Sequence, residues 1–406
     1  MTNLLWPGDH RAGEHLSDRA LLASMVAVES AWLSALVAAG IAPAECAAVD
    51  LSKSITLNDC EALAVSAEDG GNPVIPLVKL LRRRAEPGIA PWIHRGLTSQ
   101  DVLDTGLMQA VRAVADNLKT QLRQQISTLS ELAARHRATP MLARTLTQHA
   151  APTTFGVKAA GWLDGVVDAF ERVAALVTPI QIGGAAGTLA ATTELAALLT
   201  GSTDPAAVSA QLVHSAATTL GLHDRPAWHT ARAPITAAAD AFVSCTDCWG
   251  RIASDIVTLA RPEIAELSEP TTGERGGSSS MPHKRNPVLS ILLRRAAIAA
   301  PPLAATLHTA AALANDERPD GAWHAEWDTL RTLGRRTVVA ASQSGELLSG
   351  LTVHTQRMAE NLDAADVLGE QRAIADLVGK EPSSTYFGAV DRLVDESLTR
   401  AARALG

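Results

Sequence analysis

Tyrosine occurs once in this chain of 406 residues, phenylalanine four times, and no long stretch alternates apolar and polar residues with a period of two. β-Branched and aromatic side chains pack well on a pleated surface, so their scarcity argues against a sheet-based core and for a mostly helical one. Cysteine is also scarce. Cys46, Cys60, Cys245 and Cys248 form no disulfide framework, which favours a reducing compartment. The first residues lack the apolar core of a secretion signal, and no run of 18 uncharged apolar residues offers a membrane span. We therefore expect a cytoplasmic protein without a membrane partner. Excess basic charge is absent too. The formal net charge is −8, so non-specific nucleic-acid binding is not expected. There is no HExxH zinc spacing and no GxGxxG after a strand, so neither a metal nor a cofactor is implied.

What the chain does have is apolar residues at helical spacing. Ser17 or Asp18 can cap a helix running to about Gly40, with Leu21, Met25, Val28, Trp32 and Leu36 on one face and Glu29 within it. Thr98 or Ser99 can cap a long helix that keeps its apolar period from Leu107 to Leu132. Asp101 favours its positive end, and the same exposed amides and hydroxyls can bind an anion. Ile235, Ala238, Phe242, Cys245, Trp249, Ile252, Ile256 and Leu259 step by three and four, which is a heptad seam. Cys245 and Cys248 form a CxxC, but with no second ligand pair nearby the structural reading outweighs the metal or redox one. Pro301-Pro302 should kink a helix spanning Val288 to Ala314.

The stretch from Gly273 to Pro287 reads GERGGSSSMPHKRNP. Its glycines and serines free the backbone, and Lys284, Arg285 and Asn286 can bind an anion. A mobile loop is expected there in the absence of ligand. Its order resembles the signature loop of the fumarase/aspartase superfamily, GSSxMPxKxNP. Two other stretches resemble that superfamily's site regions: Thr98-Ser99, and Arg144 to Gly156. The resemblance extends to about Asp363. Arg-Thr-x-x-Gln-His-Ala-x-Pro (144–152), Gly-Gly-Ala-Ala-Gly-Thr-Leu-Ala (183–190), Trp-His-Thr-x-Arg (228–232) and Gly-x-Trp-His-Ala-Glu-Trp (321–327) resemble its 3-carboxy-cis,cis-muconate cycloisomerase branch.

The resemblance implies an all-α, long-helix bundle in three domains: 1–94, a central bundle over 95–345, and a shortened C-terminal domain over 346–406. It implies a homotetramer whose active sites are shared between subunits, and a small polycarboxylate substrate. The implied reaction interconverts 3-carboxymuconate and 4-carboxymuconolactone through an aci-carboxylate carbanion, as in protocatechuate degradation. Ser278 would move the proton, with Lys284 stabilising the extra negative charge and His149 as a further catalytic candidate. His94, Thr98, Ser99, Gln148, Asn286, Arg232 and Arg318 would contact carboxylates. The second reading is adenylosuccinate lyase or a related C–N lyase, which shares the loop. Lyases that expel an amine or hydroxide usually carry histidine two residues after the arginine of the second region. Here that residue is Leu146, which argues against adenylosuccinate lyase and is tolerable for a cycloisomerase, which in reverse expels a lactone carboxylate whose conjugate acid has a pKa of about 4. The third reading, a helical scaffold without activity, is favoured by the short tail and opposed by the signature loop.

Overall fold

The computed structural model describes residues 3–56, 58–270, 273, 275–278, 280–281 and 283–406. Three positions of the signature stretch, Glu274, Ser279 and Pro282, lie outside the described residues. In chain order the helices are α1 (Asp18–Ala38), α2 (Asp59–Gly70), α3 (Val74–Arg84), α4 (Ser99–Arg135), α5 (Phe155–Ala174), α6 (Ala190–Leu199), α7 (Pro205–Leu220), α8 (Ala233–Leu259), α9 (Val288–Ala312), α10 (Gly321–Ser349), α11 (Thr355–Asp363), α12 (Gly369–Val378) and α13 (Val390–Leu405). Two short antiparallel pairs accompany them: β1 (Pro140–Thr145) with β2 (Gln148–Thr154), and β3 (Leu267–Ser268) with β4 (Thr352–Val353).

The apolar period places the helices as the sequence implies. Ser17 caps α1, its hydroxyl accepting from the Ala20 N–H at 3.1 Å. All eight seam residues of α8 are buried, as are Leu107, Val111, Val114, Leu118, Leu122, Ile126, Leu129 and Leu132 of α4. The seam is thus covered within one chain. Pro301 and Pro302 lie inside α9 without ending it.

The hairpin β1–β2 was not foreseen. Its turn is Leu146-Thr147, with φ of 48° and 70°. Two left-handed residues in succession suit a tight hairpin, but Asn-Gly or Asp-Gly normally announces one. Nothing in Leu-Thr carries that signal.

The chain divides into two compact units. The first contains residues 1–116, 176–240 and 302–335; the second contains 117–175, 241–301 and 336–406. In the first unit α1 packs on α7 and α6 on α7. In the second, α13 packs on α5, where Ser397 donates to Asp164 at 2.8 Å and Arg400 reaches Asp168 at 2.6 Å and Glu171 at 2.8 Å.

By length and composition, α1 and α9 could each cross a membrane, with mean hydropathies of 1.8 and 1.5. Of the apolar stretch of α1, 56% is buried within the chain, whereas only a third of the α9 stretch is. Ile291 and Ile298 stand exposed on α9.

Candidate active site

In the first unit the segment before α4 is tightly held. His94 has φ of 60°, and its Nδ1 lies 2.6 Å from Glu29 Oε1. The Trp32 indole donates to the Arg95 carbonyl at 2.8 Å, and Arg82 donates twice to the Ile93 carbonyl. Four residues after His94, the Thr98 hydroxyl accepts from Arg318. Ser99 opens α4 and is half-buried. Thr98 and Arg318, expected as carboxylate contacts from stretches 220 residues apart, are thus in direct contact. The Arg318 Nε–H is buried and has no hydrogen-bond partner.

Behind Thr98 lies Asp101, fully buried. It does more than favour the positive end of a helix. Its carboxylate accepts from the backbone of Thr98 (2.9 Å), Gly183 (2.9 Å) and Gly184 (3.0 Å), and from the Gln181 amide at 3.3 Å. His229 Nε2 is 3.2 Å away. The glycine-rich loop is therefore clamped to the start of α4. Gly183 has to be glycine, because a Cβ there would lie 2.6 Å from Ala227 Cβ and 2.8 Å from Gly187 Cα.

Arg232 must be reassigned. It is 2% exposed, and its guanidinium is already shared between two carboxylates. Asp104 takes Nη1 at 2.7 Å and Nη2 at 3.1 Å; Glu326 takes Nη2 at 2.6 Å and Nε at 3.1 Å. The Trp228 ring stacks beneath it, 4.7 Å from the guanidinium carbon to the ring centre, and Trp323 Nε1 donates to Asp104 at 2.9 Å. No donor remains for a substrate carboxylate. Arg232 is instead the centre of a buried framework joining α4, the segment that leads into α8, and α10 within this unit. Burial lowers the Arg232 pKa, but Asp104 and Glu326 outweigh it and raise the value above that of a free guanidinium. Burial raises Glu326 against the pull of Arg232. One guanidinium between two carboxylates leaves a net negative charge, and Glu326 bears that penalty.

The second unit contains the signature loop. The Asn286 N–H donates to the Gly276 carbonyl at 2.8 Å, and its side-chain amide donates to the same oxygen at 3.2 Å. Gly276 has φ of 79°, and a Cβ there would lie 2.6 Å from the Asn286 carbonyl oxygen, so only glycine closes the loop. Asn286 thus uses its amide N–H to fasten the loop. Between these anchors, Ser278 Oγ accepts the N–H groups of Met281 (3.1 Å) and Ser280 (3.4 Å). An oxygen receiving two amides is better placed to carry negative charge than a free hydroxyl. Lys284 is exposed six residues on.

The second sequence region folds as the hairpin. Gln148 and His149 lie on β2 and are exposed. His149 pairs across the strands with Arg144 and helps line a cleft of about 540 Å³ with Lys158 and Arg261. Arg144 forms a two-pronged pair with the buried Glu266 at 3.0 and 2.7 Å, and Asn361 donates to the same carboxylate at 2.7 Å. Leu146 stands at the turn, 95% exposed.

Glu29, Asp101, Asp104, Glu326 and His229 escaped the sequence reading as site-supporting residues. The Trp-His-Thr-x-Arg and Gly-x-Trp-His-Ala-Glu-Trp stretches contain two of them, His229 and Glu326, but nothing in one dimension shows that they meet. Among the described residues, no group of three or more His, Cys, Asp or Glu side chains could hold a metal ion. Cys245 is fully buried and burial pushes its thiol up to about 12; Cys248 is likewise raised well above the usual range, which suits packing and not redox chemistry.

A model of the lyase family matches residues 13–300. The chain is 44% identical over 382 residues to nitrosuccinate lyase from Streptomyces davaonensis, covering 90% of this chain and 78% of that protein. It is 38% identical over 386 residues to 3-carboxy-cis,cis-muconate cycloisomerase from Bradyrhizobium diazoefficiens, covering 92% and 83%. The crystal structure of 3-carboxy-cis,cis-muconate lactonizing enzyme from Pseudomonas putida matches with a TM-score of 0.82 at 30% identity, covering 97% of each chain.

Proposed function

The chain belongs to the fumarase/aspartase superfamily of lyases, and from that premise we propose that it eliminates a leaving group that departs as a stable anion, with nitrosuccinate as its substrate. The observation that carries this reading is Leu146. At the hairpin turn where amine-expelling relatives place an acid, this chain has an exposed aliphatic side chain with no proton to give. An amine leaving group needs that proton. Nitrite and a carboxylate do not, because a carboxylic acid has a pKa of about 4, nitrous acid is of similar strength, and both anions are stable unprotonated at neutral pH.

In this reaction Ser278, its Oγ supported by the Ser280 and Met281 amides, takes a proton from the carbon next to one carboxylate. The electron pair left behind spreads into that carboxylate as an aci-carboxylate, which Lys284 stabilises. The pair then forms the C=C bond, the C–N bond breaks, and nitrite leaves with the bonding electrons. Fumarate is the other product. In a site shared between subunits, Thr98, Ser99, Arg318 and His94 of one subunit hold one carboxylate, and Gln148 and His149 of another serve the other. Asn286 acts by fastening the loop, and Arg232 by fixing the framework behind Thr98.

The second reading is interconversion of 3-carboxymuconate and 4-carboxymuconolactone. It is favoured by the match to the Pseudomonas putida structure across 97% of both chains. The same residues serve it, with a lactone carboxylate as the anion that leaves. In either case the working enzyme is a cytoplasmic homotetramer with the three-domain layout 1–94, 95–345 and 346–406. The exposed Ile291 and Ile298 on the sparsely covered α9 favour association.

The test is direct. Purified enzyme is incubated separately with nitrosuccinate, 3-carboxymuconate and adenylosuccinate. Equimolar nitrite and fumarate from the first is the expected result, and turnover of only the second selects the cycloisomerase. Cleavage of adenylosuccinate alone overturns the anionic-leaving-group reading.

A further inference from the structure

Glu29 is in the wrong place for a carboxylate. It lies in the apolar helix α1, 1% exposed, one turn from the fully buried Trp32. A buried carboxylate is costly unless it is paired and its oxygens are hydrogen-bonded. Here Oε1 meets His94 Nδ1 at 2.6 Å, while Oε2 is buried without a partner. Leucine or glutamine would fill this helix position at lower cost.

His94 meets the carboxylate at a cost of its own. Its φ of 60° is uncommon for a residue with a Cβ. The backbone is held there from both sides, by Arg82 on the Ile93 carbonyl and by Trp32 on the Arg95 carbonyl. A buried charge and a left-handed histidine thus converge on one contact, four residues ahead of Thr98.

We infer that Glu29 is a positioning residue: it grips His94 at Nδ1 so that Nε2 is presented to a carboxylate of the dicarboxylate substrate. This rests on the reading above that His94 belongs to the site. A carboxylate can only accept, so the hydrogen in the contact is on Nδ1. One ring nitrogen fixed in this way sets both the orientation and the tautomer of the imidazole. Without Glu29 the ring would have to be ordered again each time substrate binds.

Three variants test this: Glu29→Gln, Glu29→Leu and His94→Gln, with the double variant Glu29→Gln/His94→Gln. The first readouts are fumarate affinity by calorimetry and thermal midpoint. Glu29→Gln should keep the midpoint, because a buried charge is removed while the amide oxygen can still accept from Nδ1; Glu29→Leu should lower it by no more than the hydrogen bond lost at Nδ1. Glu29→Leu should weaken fumarate binding by roughly tenfold to a hundredfold, the loss typical of removing the carboxylate behind a working histidine. The double variant should bind no worse than His94→Gln alone, since Glu29 acts only through that ring. Normal binding by Glu29→Leu beside weak binding by His94→Gln overturns the dyad and leaves the site intact. Normal binding by His94→Gln removes His94 from the site and the inference with it. A substrate-free readout separates these from failure of the proposed function itself. Solid-state nitrogen NMR of histidine-labelled enzyme should show His94 carrying its hydrogen on Nδ1, and Glu29→Leu should lose that preference. A hydrogen on Nε2 in the unaltered enzyme overturns the inference even if no substrate is ever found.

Discussion

The surroundings of Arg232 and of Lys284 are both rich in charge and both drawn from stretches that resemble carboxylate-binding regions, yet they obey opposite physics. Arg232 is sealed between Asp104 and Glu326 with an indole beneath it. Lys284 stands exposed on a loop closed by Gly276 and Asn286. A buried guanidinium gripped by two carboxylates cannot release either without stranding a charge in a medium of low dielectric. An exposed ammonium can exchange water for a ligand at little cost. The first is therefore framework and the second is available for chemistry. A charged residue in a site stretch is assigned by what already binds it.

The largest effect should come from breaking the framework. Arg232→Met leaves Asp104 and Glu326 buried and unpaired, which costs about 3–5 kcal/mol of stability. That is a large part of the 5–15 kcal/mol typical of a domain, so soluble yield should fall as well. Arg232→Lys keeps the charge without the fork and should lie between the two in denaturant unfolding. A midpoint for Arg232→Met equal to the parent enzyme's would show that the network is not structural.

The loop should respond in the reverse sense. Ser278→Ala should lower turnover by about 10²–10⁴-fold, and Lys284→Met by the equivalent of roughly 3 kcal/mol, as for one oxyanion donor. Neither should move the thermal midpoint, because both side chains lie outside the packed core. Steady-state kinetics and calorimetry on the same samples check both statements. If Ser278→Ala retains turnover while Lys284→Met loses it, the serine does not move the proton, and His149 is the next residue to replace.

The smallest effect belongs to a pair of intermediate exposure. Arg84 donates to both oxygens of Asp59 at 2.7 and 2.8 Å. That contact holds the Asp59 carboxyl well below the usual carboxylate range, against the opposing effect of burial, with a further contribution from the Thr56 N–H. A depressed folded pKa stabilises the fold at pH values above the unfolded carboxylate value of about 3.9, and the gain is lost as pH falls below it. The difference in thermal midpoint between the parent enzyme and Arg84→Met should therefore be present at pH 6 and shrink below about pH 4. A difference that grows on acidification would show that the pair is not what Arg84 contributes.

Much of the fold was legible in one dimension. α1, α4 and α8 follow from the apolar period, because neighbours on a helix face are three and four residues apart in sequence. The hairpin was not legible, since Leu146-Thr147 lacks the glycine or asparagine that usually permits successive positive φ values. The heptad seam was legible as a buried stripe but not as to what buries it. Periodicity specifies a face and is silent about its cover, which proves to be the same chain.

The sequence by itself determined the family, because GSSSMPHKRNP and the Arg144 to Gly156 stretch are contiguous strings whose order is their information. It also determined that no acid stands at Leu146. Only the tertiary structure decided which charges are already paired inside the fold and which stand exposed. Asp104 and Arg232 are separated by 128 residues, Arg232 and Glu326 by 94, and Glu29 and His94 by 65. The strength and purpose of a charge depend on its burial and on the partner facing it. Both are properties of three-dimensional neighbours that no local spacing encodes.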